Sequence, residues 1–95
     1  MNKTELYENY WKACLHHIVV AGEAMPLTHH FVRLHNWSGV PHVDEIKIEQ
    51  WNCVTARPTQ DELLKYSVED IERTYSKFMS ARHEQMLRDV GAQSY

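Results

Sequence analysis

Glycine, proline and cysteine are scarce in this sequence, which has three glycines, three prolines and two cysteines. So few glycines leave little material for a phosphate-binding loop, and no glycine-rich motif precedes a predicted helix. Neither cysteine belongs to a Cys-x-x-Cys pair, so we expect Cys14 and Cys53 to be free thiols in a reducing compartment. Long apolar runs are also missing, since the longest covers only residues 18–22. We therefore expect neither secretion by a signal peptide nor a membrane-spanning helix.

Clusters of basic residues are absent as well. Ten Lys and Arg residues stand against thirteen Asp and Glu residues, which gives a formal net charge of -3. Because affinity for a phosphate backbone depends on clustered cations, nucleic acid is a poor candidate partner. Hydrophobic residues, by contrast, make up 43% of the chain, enough to build one core. Length and composition together predict a single ordered domain over residues 1–95.

The first half of the chain predicts a helix followed by a hairpin. Apolar residues recur in pairs about four apart over residues 6–19, which indicates an amphipathic helix. Thr4 is its expected N-cap, and Gly22 its expected stop, because glycine readily adopts the left-handed conformation that ends a helix. Alternating segments at 28–36 and 44–50 predict two antiparallel strands. Such a hairpin must lay its apolar face on the helix or pair with a neighbouring chain, and that face would be Val32, Leu34, Ile46 and Ile48.

Two helix starts follow in the second half. In the segment 58–63, Pro-Thr-Gln-Asp-Glu-Leu, the Thr59 hydroxyl can accept from the amide of Glu62, whose carboxylate can reach back to the amide of Thr59. This capping box predicts a short helix that ends near Tyr66. Ser67 then opens a second, longer helix.

The long final helix is predicted over about 68–90, with Gly91 as its stop. Its apolar seam is narrow and is interrupted at Arg82 and His83. We therefore expect its last three turns to project from the core or to pack on another subunit. The order of helix, hairpin, short helix and long helix is α+β.

Seven histidines are the most unusual feature of the composition, but their spacing argues against a metal site. His29, His35 and His42 are far apart and lack the paired cysteines of structural zinc sites. His16 and His17 are adjacent on the first helix, so their side chains point about 100° apart and cannot both bind one ion. We predict no metal, no cofactor and no catalytic residue.

Large apolar side chains supply the candidate interface. Trp37 lies in the predicted turn, and Trp51 falls on the polar side of its strand if the alternation continues. Aromatic residues in such places are candidate interface anchors, although the long helix could instead fold back over Trp51. On that helix, the seam residues Tyr75, Phe78 and Met86 complete the set of candidates.

The segment 46–52, Ile-Lys-Ile-Glu-Gln-Trp-Asn, followed by 58–63, resembles a pattern in small tail-module proteins of bacteriophages and prophages, the XkdW-like family. In that pattern a short strand ends in Trp or Trp-Asn, a brief loop follows, and Pro-Thr-x-x-Glu-Leu begins a helix. The resemblance is confined to residues 46–63 and implies a virion component or assembly factor with no catalytic residues. It also implies a location in the virion or the host cytoplasm.

Three functional hypotheses result. The first is a small non-enzymatic structural or assembly protein of a phage particle, which contacts virion subunits or forms a homo-oligomer. The second is a phage-encoded or bacterial regulatory binder that modulates a host protein through Trp37, Trp51 or the long helix. The third is a metal-dependent enzyme that uses the histidines.

Overall fold

The structure, a computed structural model, describes residues 1–36 and 46–93 and is of the predicted α+β class. Along the chain, helices precede and follow a two-stranded antiparallel sheet. The elements are α1 (Lys3–Glu8), α2 (Tyr10–Val20), a 3-10 turn (His29–Phe31), β1 (Val32–Asn36), β2 (Ile46–Trp51), α3 (Gln60–Leu64) and α4 (Val68–Gln93).

The first predicted helix is two helices that meet at Asn9. The backbone of Asn9 is non-helical, with φ -125° and ψ 24°, and its side-chain Nδ2 donates to the carbonyl of Glu5 at 2.9 Å. Such a local bond competes with regular helix geometry. The N-cap is Asn2 and not Thr4: Oδ1 of Asn2 accepts from the amide of Glu5 at 2.8 Å, and the Glu5 carboxylate accepts from the amide of Asn2 at 3.0 Å.

Gly22 ends α2 as predicted. Its φ of +97° lies in the left-handed region that favours glycine. Its amide donates to the carbonyl of Val19 at 3.1 Å, and the amide of Glu23 donates to the carbonyl of Ile18 at 3.0 Å. These two bonds form the Schellman motif that satisfies the last carbonyls of a helix.

The hairpin has the predicted apolar face but contains an irregularity that the alternation does not reveal. Arg33 pairs with Gln50, whereas the next residue, Leu34, pairs with Ile48, so Glu49 is an extra residue in β2. A bulge of this kind shifts the side-chain alternation by one position. Trp51 therefore lies on the same face as Ile46 and Ile48 and packs against the core, so its predicted place on the polar face is wrong. The half-buried or buried residues of this face are Val32, Leu34, Ile46, Ile48 and Trp51.

The second half of the chain starts its helices as predicted. Thr59 Oγ1 accepts from the amide of Glu62 at 3.2 Å, and the Glu62 carboxylate accepts from the amide of Thr59 at 3.3 Å. Ser67 Oγ accepts from the amide of Asp70 at 3.1 Å and so caps α4. The end of α4 was predicted wrongly, because the helix continues through Gly91 to Gln93. Glycine weakens a helix interior by roughly 1 kcal/mol but does not by itself end it.

One core joins these elements. The buried side chains of α2 face the first part of α4, while α1, α3 and the hairpin close the remaining sides. Fully burying a large apolar side chain contributes roughly 1.5 to 3 kcal/mol, so a few such residues set the stability of the fold. The buried core residues are Leu6, Tyr10, Ala13, Cys14, Leu15, Ile18, Phe31, Val32, Leu63, Ile71 and Phe78.

Candidate functional site

The candidate site is the second half of α4, where apolar side chains are exposed. Ile71, Thr74 and Phe78 are buried against the core, and no residue from Met79 to Asp89 is buried. Beyond it, Met79, Met86 and Leu87 have exposed fractions of 45%, 60% and 58%.

These exposed residues share one side of the helix. Successive residues turn by about 100°, so Met79 and Met86 lie about 80° to 100° around the helix from Phe78. Exposed His83 lies between Met79 and Met86 along the helix axis, and exposed Leu87 follows Met86. We call this set of four residues, Met79, His83, Met86 and Leu87, the α4 stripe. The stripe does not face the core, so the side chains of Met79, Met86 and Leu87 are available to another chain.

Charged side chains lie along one border of the stripe. The Arg82 guanidinium lies 5.7 Å above the ring of Phe78, and its Nη1 is 3.2 Å from Nδ1 of His29. About two turns further on, the Asp89 carboxylate accepts from Nε2 of Gln85 at 3.0 Å. Arg82 is half-buried and Asp89 exposed. The border therefore presents a cation followed by an anion.

An aromatic cluster lies at the end of the core that is nearest to the stripe. The ring of Trp11 lies 5.2 Å from that of Phe78 and 5.9 Å from that of Tyr75, both close to edge-on. The ammonium of Lys12 lies 4.5 Å above the Tyr75 ring and 2.8 Å from the carboxylate of Glu72. Edge-on contacts of this kind add roughly 0.5 to 1.5 kcal/mol beyond area burial. The cluster fastens the first half of α4 to α2.

The predicted interface residues occupy different environments. Phe78 is fully buried within the chain, so it presents no surface to a partner and is not an interface anchor. Tyr75 is half-buried in the aromatic cluster. Trp51 is half-buried too, and its Nε1 donates to the carbonyl of Thr55 at 2.7 Å. Met86 is exposed on the α4 stripe, and Trp37 lies outside the described residues.

Sequence reasoning missed a polar cluster that α2 forms with Tyr66, between α3 and α4, and with Thr74 in the first half of α4. His16 Nδ1 lies 2.6 Å from Thr74 Oγ1, and His17 Nδ1 lies 2.8 Å from the Tyr66 hydroxyl. The ring of His16 meets that of Tyr66 edge-on at 4.7 Å. Adjacent histidines on a helix diverge, as expected, but each finds its own partner beside the core. Their position between Leu15 and Ile18 of the apolar pattern is the signal that could have placed them at the core edge.

Burial sets the protonation behaviour of this cluster. Burial lowers the pKa of His16 below its ordinary value of 6.5, with Asp70 opposing the shift and His17 adding to it. Burial also raises the pKa of Tyr66, and the carboxylate of Glu62 raises it further. A neutral imidazole and a protonated phenol can exchange ordinary hydrogen bonds with their neighbours, so the contacts above account for these groups as structural elements.

The surroundings of both cysteines favour the protonated thiol. Burial raises the pKa of Cys14 to about 12, with a further contribution from Cys53. The pKa of Cys53 is raised to about 11, first by burial and then by the charge of Glu23. Because the thiolate is the nucleophile, these shifts oppose reactivity at neutral pH. Both cysteines are free.

Residues 1–36 and 46–93 are the part of the chain that bears on metal binding and membrane spanning. In that part of the chain no group of three or more His, Cys, Asp or Glu side chains is arranged to hold a metal ion. Nor does any helix there combine the length and apolar character needed to cross a membrane.

Comparison with known proteins identifies no relative of this chain. No family model, curated protein or solved structure matches the chain.

Proposed function

We propose that this chain is a small structural or assembly protein of a bacteriophage particle, which acts through protein contacts made by the second half of α4. The observation that carries the proposal is the exposure of Met79, Met86 and Leu87 on one side of that helix. The assignment to a phage particle rests on the sequence resemblance at residues 46–63.

The chemistry of the α4 stripe supports a role in binding another protein. Methionine is unbranched and polarisable, so it adapts to the shape of a partner and is favoured at protein-binding surfaces. Single exposed apolar residues are common and need no explanation. Several exposed apolar residues on one helix face are the arrangement that a helix docked on another protein uses.

The rest of the molecule supports a role as a rigid base for that helix. The aromatic cluster around Trp11 and the polar contact of His16 with Thr74 both hold the first half of α4 on α2. A helix that is fixed at one end and exposed at the other can present its side chains to a partner with little loss of conformational freedom on binding.

A particle-assembly experiment tests the proposal. The gene is deleted from the strain that carries it, and complete particles are counted by electron microscopy after complementation with variants of this chain. We expect deletion to lower the particle count at least tenfold and the wild-type chain to restore it. Met86→Glu, which places a charge on the α4 stripe, should fail to restore it.

The matched control is Arg88→Glu, which also introduces a glutamate into the exposed half of α4 but away from the stripe. It should restore particle formation. Circular dichroism should show that both variants keep the helical content of the wild type. An unchanged particle count after deletion would refute the proposed function.

A further inference from the structure

We propose that the α4 stripe pairs antiparallel with the α4 stripe of a second copy of this chain. This inference deepens the proposed function and rests on it, because it names the partner of the same surface. The juxtaposition that carries it is the stripe of Met79, His83, Met86 and Leu87 with Arg82 and Asp89 on its border.

The spacing of the stripe fits a helix that packs on another helix. Met79, His83 and Met86 follow one another at intervals of four and three residues. This alternation keeps side chains along a single seam in a helical pair. The seam is distinct from the face that α4 turns toward the core, which runs through Ile71 and Phe78.

Charge complementarity selects the second copy as the occupant. In an antiparallel pair that sets His83 opposite the second copy's Met86, the flanking position of Arg82 faces the second copy's Asp89. Because the two-fold axis repeats every contact, one such register forms two Arg–Asp pairs. Charges that flank a helical seam set the orientation of the pair and the choice of partner.

A parallel pair lacks this complementarity. In parallel alignment the flanking position of Arg82 faces the second copy's Leu87, and the His83 side chains of the two copies face each other. Neither arrangement brings opposite charges together. The charges along the border therefore favour the antiparallel orientation.

The antiparallel register also leaves room for the two cores. Its centre falls between His83 and Met86, and each residue adds about 1.5 Å along a helix, so Phe78 lies about 10 Å from the centre. The buried core residues of the two copies then lie on opposite sides of the centre. Within the chain, Arg82 contacts His29 and lies above the ring of Phe78, and Asp89 accepts from Gln85. In the pair, the two side chains can exchange their polar contacts with His29 and Gln85 for contacts with each other.

The contact is short, so the pair forms and dissociates with concentration. Sedimentation equilibrium of the wild-type chain should show the average mass rising from 11.3 kDa toward twice that value as concentration increases. Asp89→Arg places two arginines opposite each other and should weaken association at least tenfold. Arg82→Asp places two aspartates opposite each other and should do the same.

Mixing the two reversed variants gives the decisive result. In an equimolar mixture both flanking pairs become Arg–Asp again, so native mass spectrometry should show a heterodimer that forms at concentrations where each variant alone is monomeric. The matched control is Glu84→Arg, which makes the same change of charge as Asp89→Arg at a position turned away from the stripe. It should dimerise like the wild type.

Three outcomes would overturn the inference. A wild-type chain that stays monomeric at every concentration excludes self-pairing. A dimer that neither reversal weakens places the contact elsewhere, and a mixture no better than its components excludes the antiparallel register. Asp89→Arg, which leaves the contact of Arg82 with His29 in place, guards against a loss of fold in the Arg82 variant. The particle count with Met86→Glu judges the proposed function separately, since a monomeric chain can still bind a different virion subunit.

Discussion

The two halves of α4 have the same backbone and opposite surroundings. Between Val68 and Phe78 the helix buries Ile71, Thr74 and Phe78 and is fastened to α2 by the aromatic cluster. Beyond Phe78 it exposes Met79, Met86 and Leu87 instead of burying them.

This difference shows that a regular helix can continue beyond the core and carry exposed apolar residues there. A helix in a protein draws most of its stability from packing of its apolar face, and isolated helices shorter than about 12 to 15 residues are marginal in water. The second half of α4 is continuous with a packed half and can remain helical without a core of its own. Its apolar side chains therefore contribute to stability only when another chain covers them.

Replacing one large apolar residue in each half gives the largest contrast. We expect Phe78→Ala to lower the free energy of unfolding by about 3 to 5 kcal/mol, because it removes a fully buried ring and leaves a cavity. Met86→Ala at dilute concentration should change it by less than about 0.5 kcal/mol, as surface substitutions usually do. Urea denaturation followed by circular dichroism measures both. Similar losses in the two variants would mean that Met86 is covered within the chain.

Glycine substitutions test the same contrast through the backbone. Lys77 lies at the end of the packed half and Arg88 in the exposed half, and both side chains are exposed. Both residues are good helix formers, and glycine costs about 0.5 to 1 kcal/mol in their place. We expect Lys77→Gly to lower the global free energy of unfolding by that amount. Arg88→Gly should lower it by less than about 0.3 kcal/mol, because the exposed half can unwind without opening the core.

Hydrogen exchange of the backbone amides supplies the independent measurement for this pair. Amides of the exposed half should exchange by local opening in both variants, and faster in the Arg88 variant. Equal global losses from the two substitutions would show that the whole of α4 unfolds as one unit.

Sequence reasoning succeeded where the determinant was local. The capping box of Thr59 and Glu62 and the stop at Gly22 depend on residues a few positions apart, and both were predicted correctly. The apolar face of the hairpin was predicted from alternation, which also requires only neighbouring residues. The α+β class follows from these elements.

It failed where two local signals compete or where a single extra residue changes the pattern. Thr4 and Asn2 can both cap a helix, and the position of Asn9 decides how the first helix divides. The bulge at Glu49 changes the face of Trp51, and nothing in the alternation of residues 46–51 announces it. Gly91 permits a helix end without requiring one.

The candidate site shows the same limit. Helical periodicity placed Phe78 and Met86 in one seam, but periodicity does not say how far along the helix the core extends. That boundary depends on where Trp11 and His29 lie in space. For the same reason the sequence could not assign Phe78 to the core and Met86 to the surface.

A pH dependence should distinguish the packed half, because its Thr74 contacts His16. Burial lowers the pKa of His16 below 6.5, so around that pH the unfolded chain binds a proton that the folded chain does not. Stability therefore rises with pH through this range and is lost as pH falls from the ordinary pKa toward the lowered one. We expect His16→Gln to reduce the difference in the free energy of unfolding between about pH 7.5 and about pH 5.5. An unchanged difference would exclude His16 as a source of this dependence.

The smallest effect concerns two ion pairs of the packed half that differ in their surroundings. Lys12 and Glu72 join α2 to α4 at 2.8 Å, with exposed fractions of 28% and 45%. Arg73 and Asp70 lie within α4 at 3.3 Å and are more exposed, at 66% and 49%. Exposed ion pairs contribute roughly 0.2 to 1 kcal/mol, and water and salt screen the more exposed pair more strongly.

Double-mutant cycles measure each coupling energy. With Lys12→Met and Glu72→Gln we expect about 0.5 kcal/mol of coupling, and with Arg73→Met and Asp70→Asn a value close to zero. Lys12→Met alone should cost more than Glu72→Gln alone, since it also removes the cation above the ring of Tyr75. Equal couplings in the two cycles would mean that an ion pair between α2 and α4 is worth no more than a more exposed ion pair within α4.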